Sequence, residues 1–313
     1  MSVPETERRR PSLRPPGEPS EELKRLVNVL SVRSRDDFDL ATFRDDFERF
    51  SKLFPPPPEV DRKELRIGGV RCLALTPSMA TGEWAVVYFH GGGYVSGSLG
   101  THAELTAKLA LAARSRVYLV DYRLAPEEPF PAALDDALAV LRGLRKLSTP
   151  PQRVVLAGDS AGGGLALATM ISLRDAGEPL PKAAACFSPW VDLEATGESV
   201  RTRAEEDKIL KGHMLRTIAE LYLDGTDPRH PLASPLYGDL RGLPPLLIQV
   251  GTAEVLLDDA LRLAQRAREQ GVSVELQVED HLIHVWHLFS SLLPEGQQSI
   301  CEAGAFLRRH LDF

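Results

Sequence analysis

Cysteine is scarce and unpatterned in this chain. Cys72, Cys186 and Cys301 stand far apart, with no C-x-x-C spacing. That argues against a disulfide framework and against a thiolate metal site. Cys72 and Cys186 fall in apolar runs and read as buried, reduced thiols, which fits a cytoplasmic protein. Basic residues are not in excess either: 37 Lys and Arg against 44 Asp and Glu leave a net charge of −7. Such a balance offers nothing to nucleic acid or to an anionic membrane surface, so neither is an expected partner. No apolar run approaches the ~18 residues of a spanning helix, and the charged start lacks the apolar stretch of a secretory signal. Internal repeats, coiled-coil heptads, the G-K-[ST] of a phosphate loop and a G-x-G-x-x-G are all missing.

What is present is 313 residues, 43% of them hydrophobic, enough for one large core with a small accessory unit. Residues 1–20 are rich in proline and arginine and read as a loose lead. Leu23, Leu26, Val27 and Leu30, then Phe43, Phe47 and Phe50, form stripes at helical spacing and predict two helices, stopped by Pro55–Pro58. Seven short runs then read as strands: 71–75, 85–89, 117–120, 154–157, 183–187, 246–250 and 274–278. Most are continuously apolar, the pattern of a strand covered on both faces. Segments 102–113, 131–147, 162–174, 258–270 and 297–310 between and after them read as helices. This alternation predicts an α/β fold with a mostly parallel sheet between helices. From Leu193 to Gly242 no strand is evident, and an insertion of this length suggests a lid. The expected organisation is an N-terminal lead with cap helices (1–54), a first core part (55–193), a cap insertion (194–225) and a second core part (226–313).

Gly158-Asp159-Ser160-Ala161-Gly162 directly follows the run 154–157 and precedes an apolar helix. A G-x-S-x-G in this strand–turn–helix setting marks Ser160 as a nucleophile on a tight turn. The Ala161 N–H, at the start of the helix, would face developing negative charge. His90-Gly91-Gly92-Gly93-Tyr94 directly follows the run 85–89. Its glycines leave backbone N–H groups free to hold an oxyanion, and His90 reads as a residue that holds the loop. A serine needs a base and an orienting acid, in the order Ser, acid, His for such a sheet. The acid is sought after 246–250, where Glu254 and Asp258 compete; Asp258 and Asp259 also suit helix capping. The base is sought after 274–278, among His281, His284 and His287.

Together these motifs resemble the hormone-sensitive-lipase-like branch of the α/β-hydrolases, the bacterial family IV esterases marked by H-G-G-G and G-D-S-A-G-G. Asp121-Tyr-Arg-Leu-Ala-Pro-Glu127, Phe130-Pro131, Ser188-Pro189-Trp190, Ser234-Pro235-Leu236 and Gly242-Leu-Pro-Pro245 carry the likeness from about residue 20 to the C-terminus. The resemblance implies an α/β-hydrolase fold: an eight-stranded, mostly parallel sheet flanked by helices, with a helical cap. It implies a serine carboxylesterase for short- to medium-chain acyl esters, working without metal or cofactor. It makes Ser160 the nucleophile, His284 the base and Glu254 the favoured acid, and assigns Gly92, Gly93 and Ala161 to the oxyanion hole. Many members carry aspartate followed by proline and leucine where this chain has Glu254-Val-Leu-Leu-Asp258, so the acid is the least fixed assignment. Tyr94, Val95 and Trp190 are candidate substrate-lining residues, with plain core packing the alternative. Asp121, Arg123 and Glu127 read as ion-paired braces. A homodimer paired through an edge strand is left open.

Rival readings differ in what stands at these positions. Lactone or amide hydrolysis would use the same triad. A receptor such as the gibberellin receptors would have lost the histidine, and epoxide hydrolases and dehalogenases would carry aspartate in place of Ser160.

Overall fold

The computed structural model describes residues 18–33, 38–80, 84–146 and 153–311. Most of the expected loose lead, residues 1–17, lies outside these. Two helices, α1 (Glu21–Arg33) and α2 (Leu40–Ser51), precede three strands, β1 (Val60–Ile67), β2 (Val70–Pro77) and β3 (Ala85–Phe89). There follow α3 (Ala103–Ala113), β4 (Arg116–Val120), α4 (Ala132–Lys146), β5 (Val154–Asp159), α5 (Ala161–Asp175) and β6 (Ala184–Phe187). Two further helices, α6 (Ser199–Thr202) and α7 (Gly212–Leu223), interrupt the alternation. It resumes with β7 (Leu246–Gly251), α8 (Leu257–Glu269), β8 (Val274–Glu279) and α9 (Pro294–His310).

The eight strands form one sheet in the order β1-β2-β4-β3-β5-β6-β7-β8. β1 and β2 are antiparallel to their neighbours and the rest run parallel. Alternate residues of the apolar strands divide between two cores. Val87, Phe89, Leu156 and Ile248 pack under α4, α5 and α8. Tyr88, Val155, Ala157 and Leu247 pack under α3 and α9. This two-sided burial is why those strands read as unbroken apolar runs.

Two elements differ from the sequence reading. β1 is absent from the seven apolar runs because only its end residues, Val60 and Ile67, are buried. The intervening Asp-Arg-Lys-Glu-Leu-Arg belongs to an edge strand, where charge is tolerated and discourages pairing with other chains. The last helix, which reads as 297–310, starts three residues earlier as α9 at Pro294, whose missing N–H costs nothing there, and the stretch before it holds a short 3-10 turn at Trp286–Phe289.

α1 starts on Ser20, whose hydroxyl accepts the Leu23 amide, and α2 on Asp39, which accepts the Thr42 amide. The apolar stripe of α1, Leu23 and Leu26, packs on Leu282, Ile283, Trp286 and Phe289 in the loop after β8. Arg44 of α2 reaches the carbonyls of Val95 and Ala125 and forks onto Glu127. Glu127 thus braces α2, while Asp121 pairs with Arg71 and Arg123 with Asp136. No helix among the described residues is long and apolar enough to cross a membrane.

Candidate active site

Ser160 sits between the last residue of β5 and the first of α5, with φ 51° and ψ −120°. A non-glycine residue in this left-handed conformation is strained. The turn is held from both sides: the Ser160 amide donates to the Phe187 carbonyl, and its own carbonyl accepts from Gly163, Gly164 and Trp190. At Gly162 a Cβ would strike the carbonyl oxygen of Phe89, so glycine is required for α5 to approach β3 this closely.

His284 and Glu254 arrive from the loops after β8 and β7. His284 Nε2 lies 3.0 Å from Ser160 Oγ, and His284 Nδ1 lies 2.9 Å from Glu254 Oε2. Ser160 is 7% exposed, His284 4% and Glu254 fully buried. The other Glu254 oxygen accepts from the Gly251 amide at 2.6 Å and the Ser188 hydroxyl at 2.8 Å. Ser188 Oγ in turn accepts the Val285 amide at 3.1 Å, so one hydroxyl ties the acid to the loop of the histidine. Ser188 is a supporting residue that the sequence reading noted only as part of Ser188-Pro189-Trp190. A serine hydroxyl carries no signal of its own in one sequence.

The competing residues are placed elsewhere. Asp258 exchanges hydrogen bonds with Ser199, through the Ser199 amide and the Ser199 hydroxyl. Asp259 accepts the amides of Val191 and Asp192. His281 is exposed, its amide bound to Thr252. His287 is buried, stacked on Phe187, and contacts Gln249 through Nε2. Only His284 among the three meets Ser160.

Burial is the largest influence on His284 and pulls its imidazole down. The hydrogen bond and charge of Glu254, with the charges of Asp207 and Asp159, outweigh it and hold His284 above the ordinary histidine value. Glu254 is pushed up by burial, against the opposing pull of His284 and the Gly251 amide. Three donors, the Gly251 amide, the Ser188 hydroxyl and His284 Nδ1, surround Glu254 and favour a carboxylate that stabilises the imidazolium.

Beside Ser160 lies the glycine loop. Gly92 and Gly93 have φ 114° and 66°, and a Cβ on Gly92 would strike the Ser96 carbonyl. The N–H groups of Gly92, Gly93 and Ala161 meet no acceptor among the described residues. The loop is fixed from behind: the Gly91 amide donates to Asp159 Oδ1 at 3.0 Å, and Asp159 also binds Tyr88 and His102. His90 contacts the Gly91 carbonyl and stacks on Tyr122, with burial pushing its imidazole down to about 3. It holds the loop as a neutral ring.

Ser160, His284, Gly92 and Gly93 open into a cavity of about 670 Å³. Its walls come from α1 and α2 (Leu30, Phe43, Phe47, Phe50) and from the 194–225 stretch (Ile209, Leu210, Leu215, Ile218). Trp190, Val285, Leu288 and Phe289 complete an apolar enclosure, with Asp46 and Arg49 its charged wall residues besides Asp159 and His284. Trp190, one of the three candidate lining residues, is among the walls. Tyr94 and Val95 are not among the walls: Tyr94 stacks on Tyr222 at 3.8 Å, and Val95 is fully buried with its carbonyl bound by Arg44. Tyr94 has φ 63°, and both side chains are buried in the core.

Residues 86–288 match the family model of the alpha/beta hydrolase fold. An acetyl-hydrolase from Streptomyces hygroscopicus is 49% identical over 261 residues, covering 83% of this chain and 86% of that protein. An esterase from Acinetobacter venetianus is 34% identical over 279 residues, covering 88% and 92%. A crystal structure of an esterase from the bacterial hormone-sensitive lipase family superposes with a TM-score of 0.91 at 44% identity, over 94% of this chain and all of that one.

Proposed function

As a chain that belongs to the α/β-hydrolase fold family, in its hormone-sensitive-lipase-like branch, this protein is, we propose, a serine carboxylesterase for short- to medium-chain acyl esters. The observation that carries the reading is the line Glu254–His284–Ser160, with contacts of 2.9 and 3.0 Å, ending in an apolar cavity beside unbonded amides. His284 Nε2 takes the Ser160 proton as Oγ attacks the ester carbonyl carbon. The amides of Gly92, Gly93 and Ala161 bind the resulting oxyanion, each such donor contributing about 3–4 kcal/mol. The tetrahedral intermediate collapses, the C–O bond to the alcohol breaks, and His284 gives the alcohol its proton. Water then attacks the acyl carbon as His284 takes its proton, the C–O bond to Ser160 breaks, and His284 returns the proton to Ser160 Oγ as the acid leaves. Glu254 fixes the Nδ1–H tautomer and stabilises the imidazolium.

The enclosing apolar residues favour an uncharged acyl chain and alcohol. The similar Streptomyces protein is named an acetyl-hydrolase, which supports the short end of the acyl range. Helices α1 and α2 and the 194–225 stretch act as the cap over the hydrolase core, since both supply walls of one cavity. Cytoplasmic residence belongs to the same reading and is supported by three free cysteines, two of them buried. β1 and β8 are the edges of the sheet, and a homodimer would pair through an edge strand.

The test is hydrolysis of p-nitrophenyl butyrate and dodecanoate by wild type and Ser160→Ala, with mass-spectrometric mapping of a fluorophosphonate adduct. Turnover should favour butyrate, the adduct should sit on Ser160, and S160A should lose about 10⁴-fold or more. Undiminished turnover by folded S160A would sink the reading, and faster turnover of dodecanoate would sink its substrate range.

A further inference from the structure

Asp207 lies between α6 and α7, in the cap insertion, and has no exposed surface. One carboxylate oxygen accepts the amides of Ile209 and Leu210, each at 2.9 Å. These two bonds are a local turn that serine or asparagine would also close. The other oxygen accepts the amide of Val255 at 2.9 Å. Val255 belongs to the core and directly follows Glu254. One side chain of the cap therefore grips the backbone beside the triad acid.

Among the described residues Asp207 has no cationic side chain within ion-pair distance. Lys211 donates instead to the backbone carbonyls of Asp207 and Ala204. Burying a carboxylate without a cation costs several kcal/mol, and three amide donors offset that cost. A neutral residue would avoid the cost while keeping the turn; aspartate adds only the reach to Val255 and the charge. Burial pushes the Asp207 carboxyl up, against His284 and those three amides; as a carboxylate it raises His284 alongside Glu254 from the β7–α8 loop and Asp159 at the end of β5. Asp46 and Arg49 of α2 face the same cavity, and His281 on the histidine's own loop is exposed.

We propose that Asp207 is a positioning residue: it fastens the cap insertion to the Glu254 loop and stands as a second carboxylate behind the Glu254–His284 pair, so that full activity requires this segment of the cap to be seated. The proposal rests on the triad reading above. It gives the cap a part in setting the acid and the base as well as in walling the cavity.

The experiment compares wild type with Asp207→Asn and Asp207→Ser, both neutral and both able to close the local turn. Asp192→Asn serves as the control, being a fully buried aspartate that holds neighbouring loops. With p-nitrophenyl butyrate, D207N and D207S should lose about 10- to 100-fold in kcat, the scale of a small misplacement, with KM little changed. The midpoint of the acid limb of kcat/KM should move to lower pH by roughly half a unit or more. D192N should lower the melting temperature and leave that midpoint in place. A wild-type midpoint in both Asp207 variants, with kcat losses no larger than in D192N, would overturn the proposal. If neither neutral variant folds, Asp207→Glu decides: kcat should fall at an unchanged midpoint, and wild-type kcat would overturn the idea. Failure of the triad reading looks different, with no adduct on Ser160 and full turnover by S160A.

Discussion

Two carboxylate–histidine pairs stand near Ser160 among the described residues. Glu254 meets His284 at 2.9 Å, and Asp159 meets His102 at 3.3 Å. All four side chains are buried. What separates them is the second nitrogen of each ring. In His284 it faces Ser160 Oγ and the cavity; in His102 it faces Thr101 Oγ1 at 2.8 Å, and His102 is not a wall of the cavity. Burial is the largest influence on both acids and pushes each up. It prevails at Glu254. At Asp159 the charge and hydrogen bond of His102, with the Tyr88 hydroxyl, turn the balance and hold the carboxyl below its ordinary value. A carboxylate–imidazole pair is therefore a general brace for a loop; it becomes a proton-transfer device only where the far nitrogen meets a reactive group.

The sharpest way to break this comparison is to remove the two rings in turn. His284→Ala should lose about 10⁴- to 10⁶-fold in kcat. His102→Ala should lose far less turnover and instead lower the urea midpoint, through about 1–3 kcal/mol for the buried groups left unpartnered. Comparable kcat losses in two folded variants would mean that the difference between the pairs has been misread.

Next in size is Glu254→Gln, with an expected loss of about 10³- to 10⁴-fold, the scale of a mis-set imidazole tautomer. The pH profile carries the sign. Neutral His284 is the active form, so kcat/KM is lost as pH falls through the value that Glu254 holds above the ordinary histidine range. Without the Glu254 charge, that acid limb should move to lower pH. A limb that stayed in place or moved upward would remove Glu254 from the role.

The smallest effect is expected at the other acid, in stability. Asp159 is held below its ordinary value when folded, so its contribution is present above the unfolded value near ~3.9 and is lost as pH falls through the folded one. Asp159→Asn should unfold at lower urea than wild type at pH 7, and the gap should narrow as the pH is taken below the ordinary aspartate range. A gap that widened on acidification would contradict the sign.

Much of the site is legible in one dimension because its parts are tied to local backbone. Ser160 needs glycine on both sides, and the amide-bearing loop needs glycines where φ is positive at Gly92 and Gly93. Such demands leave fixed marks in a sequence. The choice between Glu254 and Asp258 has no such mark. Four residues separate them, and only the start of α8 sends Asp258 to Ser199 while Glu254 meets His284. Tyr94 and Val95 mislead for a related reason: nearness in sequence to the glycine loop says nothing of which way a strained turn sends a side chain. Ser188 and Asp207 carry no local signature, since a hydroxyl or a turn-capping aspartate is common anywhere.

By itself the sequence determined the alternating strands and helices, the turn under Ser160 and the glycine loop, because each is enforced by residues close together in the chain. The tertiary structure alone decided which acid meets His284, which residues wall the cavity, and that Asp207, between α6 and α7, holds the amide beside Glu254. Those contacts join residues from 30 to 124 positions apart, and they exist only once the sheet has placed β5, β6, β7 and β8 side by side with their loops at one edge.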